Sequence, residues 1–197
     1  MTEPGLRERK KRETRQRISD LATLLFHERG FDAVSVADVA EAAGVSKMTV
    51  FNYFPRKEDL FFDREPETVE LLSAAVRDRA LGVTPVDAVG ALVLRLVDER
   101  HPLGGFDDRF PPFWKVVLNS PTLRSRAREA IEELEMLVAE LFAEAGDTDP
   151  ALSAALVMAT IRTCYTTAAR RIMAGERSDD IYAEHRAFVQ RAFERLR

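Results

Sequence analysis

The sequence predicts an all-α protein of about nine helices, with a small N-terminal head of three helices and a larger helical body. Two observations carry the prediction. Apolar residues recur at spacings of three and four along most of the 197-residue chain, and no stretch keeps a two-residue alternation. The punctuation between these stretches is that of helices. Ser35, Ser46 and Ser178 open segments, Thr84-Pro85, Ser120-Pro121 and Asp149-Pro150 place a cap before a proline, and Gly30, Gly44, Gly146 and Gly175 close segments.

The elements follow in order. Met1 to Leu6 reads as a leader in which Pro4 and Gly5 break any early helix. The first helix runs from about Arg7 to Arg29, with Ile18, Leu21, Ala22, Leu25 and Phe26 on one stripe, and Phe31 packs back on it. Ser35 with Asp38 makes a capping-box start for a second helix whose inner face is Val36, Val39 and Ala40. Gly44 supplies the turn, Val45 plugs the angle, and Ser46 caps a third helix over Lys47 to Phe54, which Pro55 ends. A fourth helix is expected from Lys57 to about Leu81, kinked at Pro66. Pro85 starts a fifth with Leu92 and Leu96 on its apolar face, and a short sixth lies within Phe106 to Asn119. Pro121 starts the seventh, which Gly146 stops, and Pro150 starts a long eighth rich in Ala and Thr. The ninth begins at Ser178 and carries Ile181, His185, Phe188, Val189, Ala192, Phe193 and Leu196 on one face.

Charge separates the two ends. Arg7 to Arg17 holds seven cations against Glu8 and Glu13, so the segment carries +5 and the remainder −9 of the net −4. A basic end on an acidic body suits a protein that meets phosphates with one end only; a solvated, frayed helix start has the same composition. No apolar run reaches the roughly 18 residues a membrane span needs, and no apolar segment follows the basic N-terminus as a secretory signal requires. The lone Cys164 leaves no internal disulfide, which points to the cytoplasm. His27, His101 and His185 stand at no metal-ligand spacing, and Cys164 has no neighbouring histidine to activate it. Asp107-Asp108 reads as a solvated loop. Gly-rich phosphate loops and G-x-S-x-G are absent, so no catalytic residue, cofactor or metal is assigned and an enzyme is not expected.

The stretch from Arg15 to Asp63 resembles the DNA-binding head of the TetR family of bacterial transcriptional regulators. The resemblance rests on the helix ending in Gly30-Phe31, on Ser35-Val36-Ala37-Asp38-Val39-Ala40, and on Ala43-Gly44-Val45-Ser46-Lys47. It continues through Thr49-Val50-Phe51-Asn52-Tyr53-Phe54 and Lys57-Glu58-Asp59-Leu60. It covers a quarter of the chain and implies a helix-turn-helix domain over 1–55, followed by a helical regulatory and dimerisation domain over 56–197. By helical position, Lys47, Met48, Thr49, Asn52 and Tyr53 are outward and Val50 and Phe54 inward. The resemblance implies that Lys47, Thr49, Phe51, Asn52 and Tyr53 lie at double-stranded DNA and that Ser35 and Lys57 touch phosphates; Ser46 and Met48 complete the candidate set. Two positions depart from the family pattern: Phe51, often Tyr, which loses a hydroxyl and can equally be core, and Met48, often a small residue, which can meet a thymine methyl.

The body carries no motif. Leu92, Leu96, Phe113, Trp114, Val117, Met136 and Met158 supply apolar and aromatic lining of the kind small-molecule sites use, with Arg162 placed to face an acid or a carbonyl; each is also ordinary core material. The last two helices are the dimer candidates, through Ala155, Ala159, Phe188, Val189, Ala192, Phe193 and Leu196, unless those faces pack within one protomer. The family resemblance implies a homodimer on a palindromic operator and a repressor released by an unknown small-molecule effector. A DNA-binding regulator whose body binds a protein, and an all-helical enzyme or adaptor, are the other classes the composition admits.

Overall fold

The computed structural model describes residues 5–108 and 110–197. Among these residues it contains nine α-helices, two short 3-10 turns and no strand. The helices are α1 (Leu6–Arg29), α2 (Val36–Ala42), α3 (Lys47–Tyr53), α4 (Glu65–Arg77), α5 (Pro85–Asp98), α6 (Phe110–Asn119), α7 (Pro121–Glu144), α8 (Pro150–Met173) and α9 (Ser178–Glu194). The all-α architecture expected from the sequence is the one observed. The leader residues before Gly5 lie outside the described part.

Local chemistry explains most boundaries. Thr84 Oγ1 accepts the Asp87 amide at 3.1 Å ahead of Pro85, and Ser120 Oγ accepts the Leu123 amide at 3.3 Å ahead of Pro121. The helix expected from Lys57 differs. Only a 3-10 turn forms over Glu58–Leu60, and α4 starts at Glu65, so Pro66 falls in the first helical turn instead of kinking an interior. A proline there forfeits an amide that has no intrahelical partner anyway. α4 also ends at Arg77, short of Leu81, which is fully exposed.

The chain forms two compact units. The first comprises the chain up to Glu65 together with Lys115–Arg126, the latter a segment that the sequence reading assigns to the body. Its core joins α1, α2 and α3 through Ile18, Ala22, Phe26, Val39, Val50 and Phe54, all nearly inaccessible to solvent. Phe26, Phe31 and Phe61 form an aromatic cluster with centroids 4.9–6.4 Å apart. Arg126, itself buried, pairs with Glu65 at 2.5 Å and Asp59 at 3.5 Å, and the Ser120 hydroxyl donates to Asp32 at 2.9 Å.

The second unit is Pro66–Trp114 with Ala127–Arg197. Its core gathers Leu72 and Val76 of α4, Val89, Leu92 and Leu96 of α5, and Val138, Leu141 and Phe142 of α7, with Val157 and Met158 of α8 and Val189 and Phe193 of α9. α9 lies against both α5 and α8. Gly90 permits that contact: a Cβ there would sit 3.0 Å from the Phe193 ring. A second cluster, with Phe106, Ala168, Ile172 and Ile181, continues the core.

Candidate functional site

The head presents α3 on a rigid frame. Ser35 caps α2 with a full capping box: its hydroxyl accepts the Asp38 amide at 3.2 Å and its own amide donates to the Asp38 carboxylate at 2.7 Å. The Ser35 hydroxyl also donates to that carboxylate at 2.6 Å, and this bond, with the one from the Ser35 amide, holds the Asp38 carboxyl below its usual pKa. At the turn Gly44 takes φ +62°, a conformation that costs glycine little, and the Val45 amide reaches back to the Ala40 carbonyl at 2.9 Å. Ser46 then caps α3, its hydroxyl accepting the Thr49 amide at 3.0 Å and lying 2.8 Å from the Thr49 hydroxyl.

Seven residues are too few to be a stable helix alone, so α3 depends on these caps and on Val50 and Phe54, which are 0% and 1% exposed. Its other face carries Lys47, Met48, Phe51 and Asn52, all exposed, with Thr49 and Tyr53 half-buried. Met48 is 69% and Phe51 45% exposed, so neither is core. Two large apolar side chains on a polar outer face are the unusual feature of this surface. Arg15 of α1 stacks on Phe54 at 4.6 Å and donates to the Asp63 carbonyl at 2.8 Å, tying the basic helix to the end of α3.

Lys57 is placed differently from the expectation of a phosphate contact. Its ammonium donates to the Phe31 carbonyl at 2.6 Å and lies 4.1 Å from the Phe31 ring centre. Desolvation lowers its pKa, opposed by the nearby charges of Asp32, Glu58 and Asp38. In this position Lys57 braces the turn after α1, and any phosphate has to compete with three carboxylates for it.

The second unit contains a partly open cavity of about 100 Å³. Its lining comes from α4 (Thr68, Leu71, Leu72), α5 (Leu92, Val93, Leu96, Val97), Leu103 and Gly104, α7 (Leu134), α8 (Met158, Ile161, Cys164, Tyr165) and α9 (His185, Val189). Leu92, Leu96 and Met158 are where the sequence reading puts them. The other pocket candidates are elsewhere. Met136 is 62% exposed because it lies about 200° around α7 from the inward Leu134. Arg162 is exposed, where its charge stays hydrated. Phe113 and Trp114 stand outside the lining, Trp114 packing edge-on against Tyr165 at 5.5 Å, and Val117 is buried core of the first unit.

Sequence reasoning missed the polar members of this wall. His185 is 4% exposed and stacks face to face on Phe106 at 4.8 Å, and burial lowers its pKa to about 4. Burial raises the Cys164 thiol to about 11 and pushes the Tyr165 phenol up as well. The available signal was His185 itself, at four-residue spacing between Ile181 and Val189 on the apolar stripe of α9. Gly105 matters to the same wall: with φ +66°, it lies where a Cβ would come within 2.0 Å of the Tyr165 ring.

The dimer candidates divide. Val189 and Phe193 belong to the protomer's own core; Phe188, Ala192 and Leu196 are half-buried and pack on it. Val189 and Phe193 are thus consumed within the protomer, while Phe188, Ala192 and Leu196 keep part of their surface exposed. Ala155 and Ala159 of α8 are half-buried beside Leu152 and Leu156, which are 61% and 48% exposed.

Two short helices joined through Gly44, the second capped and projecting an exposed face, make this a helix-turn-helix protein with an all-helical body. Residues 18–63 match the profile described as bacterial regulatory proteins, tetR family. The chain is 30% identical over 145 residues to the HTH-type transcriptional regulator TcmR of Streptomyces glaucescens, covering 71% of this chain and 63% of TcmR. It is 31% identical over 104 residues to the HTH-type transcriptional repressor LfrR of Mycolicibacterium smegmatis, covering 53% and 52%. The matched stretch is thus less than two thirds of either relative's length. Among solved structures, Thermus thermophilus FadR, a TetR family transcriptional repressor in complex with lauroyl-CoA, superposes with a TM-score of 0.51 at 26% identity, over 90% of this chain and 94% of that one. The head of the chain, residues 18–63, is that of the TetR family of bacterial regulatory proteins.

Proposed function

We propose that the protein is a sequence-specific DNA-binding transcriptional regulator, a homodimeric repressor in the cytoplasm that leaves its palindromic operator when a small molecule fills the cavity of the second unit. The observation that carries this reading is the exposed face of α3, held by the Ser35 and Ser46 caps beside the basic α1. In this reading residues 1–55 bind DNA and 56–197 regulate and dimerise. Met48, Phe51 and Asn52 meet base edges in the major groove, and Lys47, Thr49 and Tyr53, with the Ser35 and Ser46 caps, fix the register on the backbone. Two apolar side chains favour steps with a thymine methyl. The dimer uses the exposed face of α8 around Leu152 and Leu156. FadR, a TetR family repressor in complex with lauroyl-CoA, supports the binding of a small molecule by a repressor of this fold. Release needs the effector to bind the released state more tightly than the DNA-bound state.

The test is selection of duplexes from a random pool, followed by titration of the winner at several salt concentrations. The reading expects an inverted repeat, and Lys47→Ala lowers the salt slope by about one with a similar loss on all sequences. A pool that yields no repeat, or binding indifferent to salt, refutes it.

A further inference from the structure

We infer that the cavity of the second unit takes an uncharged, largely apolar molecule, of the bulk of one ring or a short alkyl chain, carrying a single hydrogen-bonding group that pairs with His185. The inference rests on the proposal that this cavity is the effector site, and it adds the chemical class of the effector.

Three observations lead to it. No Asp, Glu, Lys or Arg is among the described residues that line it. A carboxylate, ammonium or phosphate drawn inside would lose its hydration with no counter-charge to replace it. The polar side chains that do line the wall add no charge near neutral pH: burial holds the His185 imidazole neutral, and the Cys164 thiol and Tyr165 phenol stay protonated. The wall therefore discriminates against ions of either sign.

The second observation is His185 itself. A neutral imidazole has one donor and one acceptor nitrogen, and buried polar groups in proteins almost always find partners. His185 is 4% exposed, and its ring is fixed by the face-to-face stack on Phe106. It borders the void, so a ligand hydroxyl or carbonyl is the partner the fold leaves room for. The third is size. An apolar cavity of about 150 Å³ accepts benzene; this one is about 100 Å³ and is bounded by Met158, whose unbranched thioether side chain shifts readily to admit a ring.

Matched probes test this on the full-length protein, by ligand-observed NMR and by thermal shift: phenol, toluene and benzoate for the ring, and 1-hexanol and hexanoate for the chain. The neutral members bind, and each carboxylate binds at least about tenfold more weakly. Phenol binds about tenfold better than toluene, the fold-change of one hydrogen bond. His185→Phe keeps the stack and the bulk, retains toluene, and erases the preference for phenol. Benzoate binding as well as phenol, an unchanged phenol-to-toluene ratio in His185→Phe, or no probe binding the folded wild-type chain would each overturn the inference. The wild-type comparison of neutral with charged probes stands even if the variant fails to fold. Operator release measured on the same samples separates the two layers. Phenol that binds without releasing DNA sinks the effector-release reading and leaves the ligand class standing. A charged effector that releases DNA while neutral probes fail does the reverse.

Discussion

Replacing Lys57 by Met separates a brace from a phosphate contact. The substitution keeps the aliphatic stem between Phe26 and Phe31 and removes only the ammonium. Two interactions go with it: the 2.6 Å bond to the Phe31 carbonyl, and the cation over the Phe31 ring at 4.1 Å. A hydrogen bond from a charged donor contributes about 1.5–3 kcal/mol when buried, and a partly exposed cation–π contact about 0.5–1 kcal/mol. Lys57 is only half-buried, so water recovers part of this, and a net loss of about 2 kcal/mol is expected. For a chain of this size that lowers the melting temperature by about 4–8 °C. The assay pairs thermal denaturation with the salt dependence of operator binding, using Lys47→Ala as the comparison. Lys57→Met is expected to melt early and keep the wild-type salt slope, whereas Lys47→Ala melts normally and loses about one unit of slope. A Lys57→Met protein that melts like wild type but loses that unit would refute the brace and restore the phosphate contact.

Two further outcomes follow from local chemistry. Ser46→Ala strips the cap from the Thr49 amide and costs about 1 kcal/mol; because α3 has only seven residues, operator affinity falls with it, and Ser46→Thr, which keeps a neutral capping hydroxyl, restores both in the same fluorescence-anisotropy titration. His185, with a folded pKa of about 4 against an ordinary 6.5, stays neutral in the fold while the unfolded chain takes up a proton, so stability falls as pH drops from 6.5 towards 4. Between pH 7.5 and 5.5 the loss is about 1 kcal/mol, or about 2–4 °C in melting temperature, and His185→Phe flattens it; carboxylates held below their usual range, such as Asp98 beside Arg186, lose their contribution only at more acid pH.

The parts of the head that were legible in the sequence are those whose causes lie within a few residues. Ser35 caps an amide three residues on, Ser46 does the same, Gly44 takes the turn its neighbours require, and Val50 and Phe54 sit one helical turn apart on the inner face. The bond of Lys57 was not legible because its partner is a backbone carbonyl 26 residues earlier, and a carbonyl left free at a helix end has no sequence signature. The cavity wall was only partly legible for a related reason: Thr68, Cys164, Tyr165 and His185 meet across three separate helices, and no spacing within one helix announces that meeting.

Helix α8 shows the limit most clearly. Ala154, Val157, Met158, Cys164 and Ala168 face inward and are buried. A second stripe, through Leu152, Leu156, Ala159 and Thr163, faces out. The hydroxyls of Thr160, Thr163 and Thr166 donate back to the carbonyls of Leu156, Ala159 and Arg162 at 2.8 Å, so their hydrogen bonds are satisfied within the helix and methyl groups remain for the outer surface. Periodicity reveals that a helix has two apolar faces. It does not say which one the protomer consumes, because that depends on the bulk of the neighbours. Phe193 filling the space over Gly90 commits α9 to α5, and with that face of α9 used, Val189 and Phe193 become core. The outer stripe of α8 then remains exposed, with Leu152 and Leu156 as its large apolar side chains.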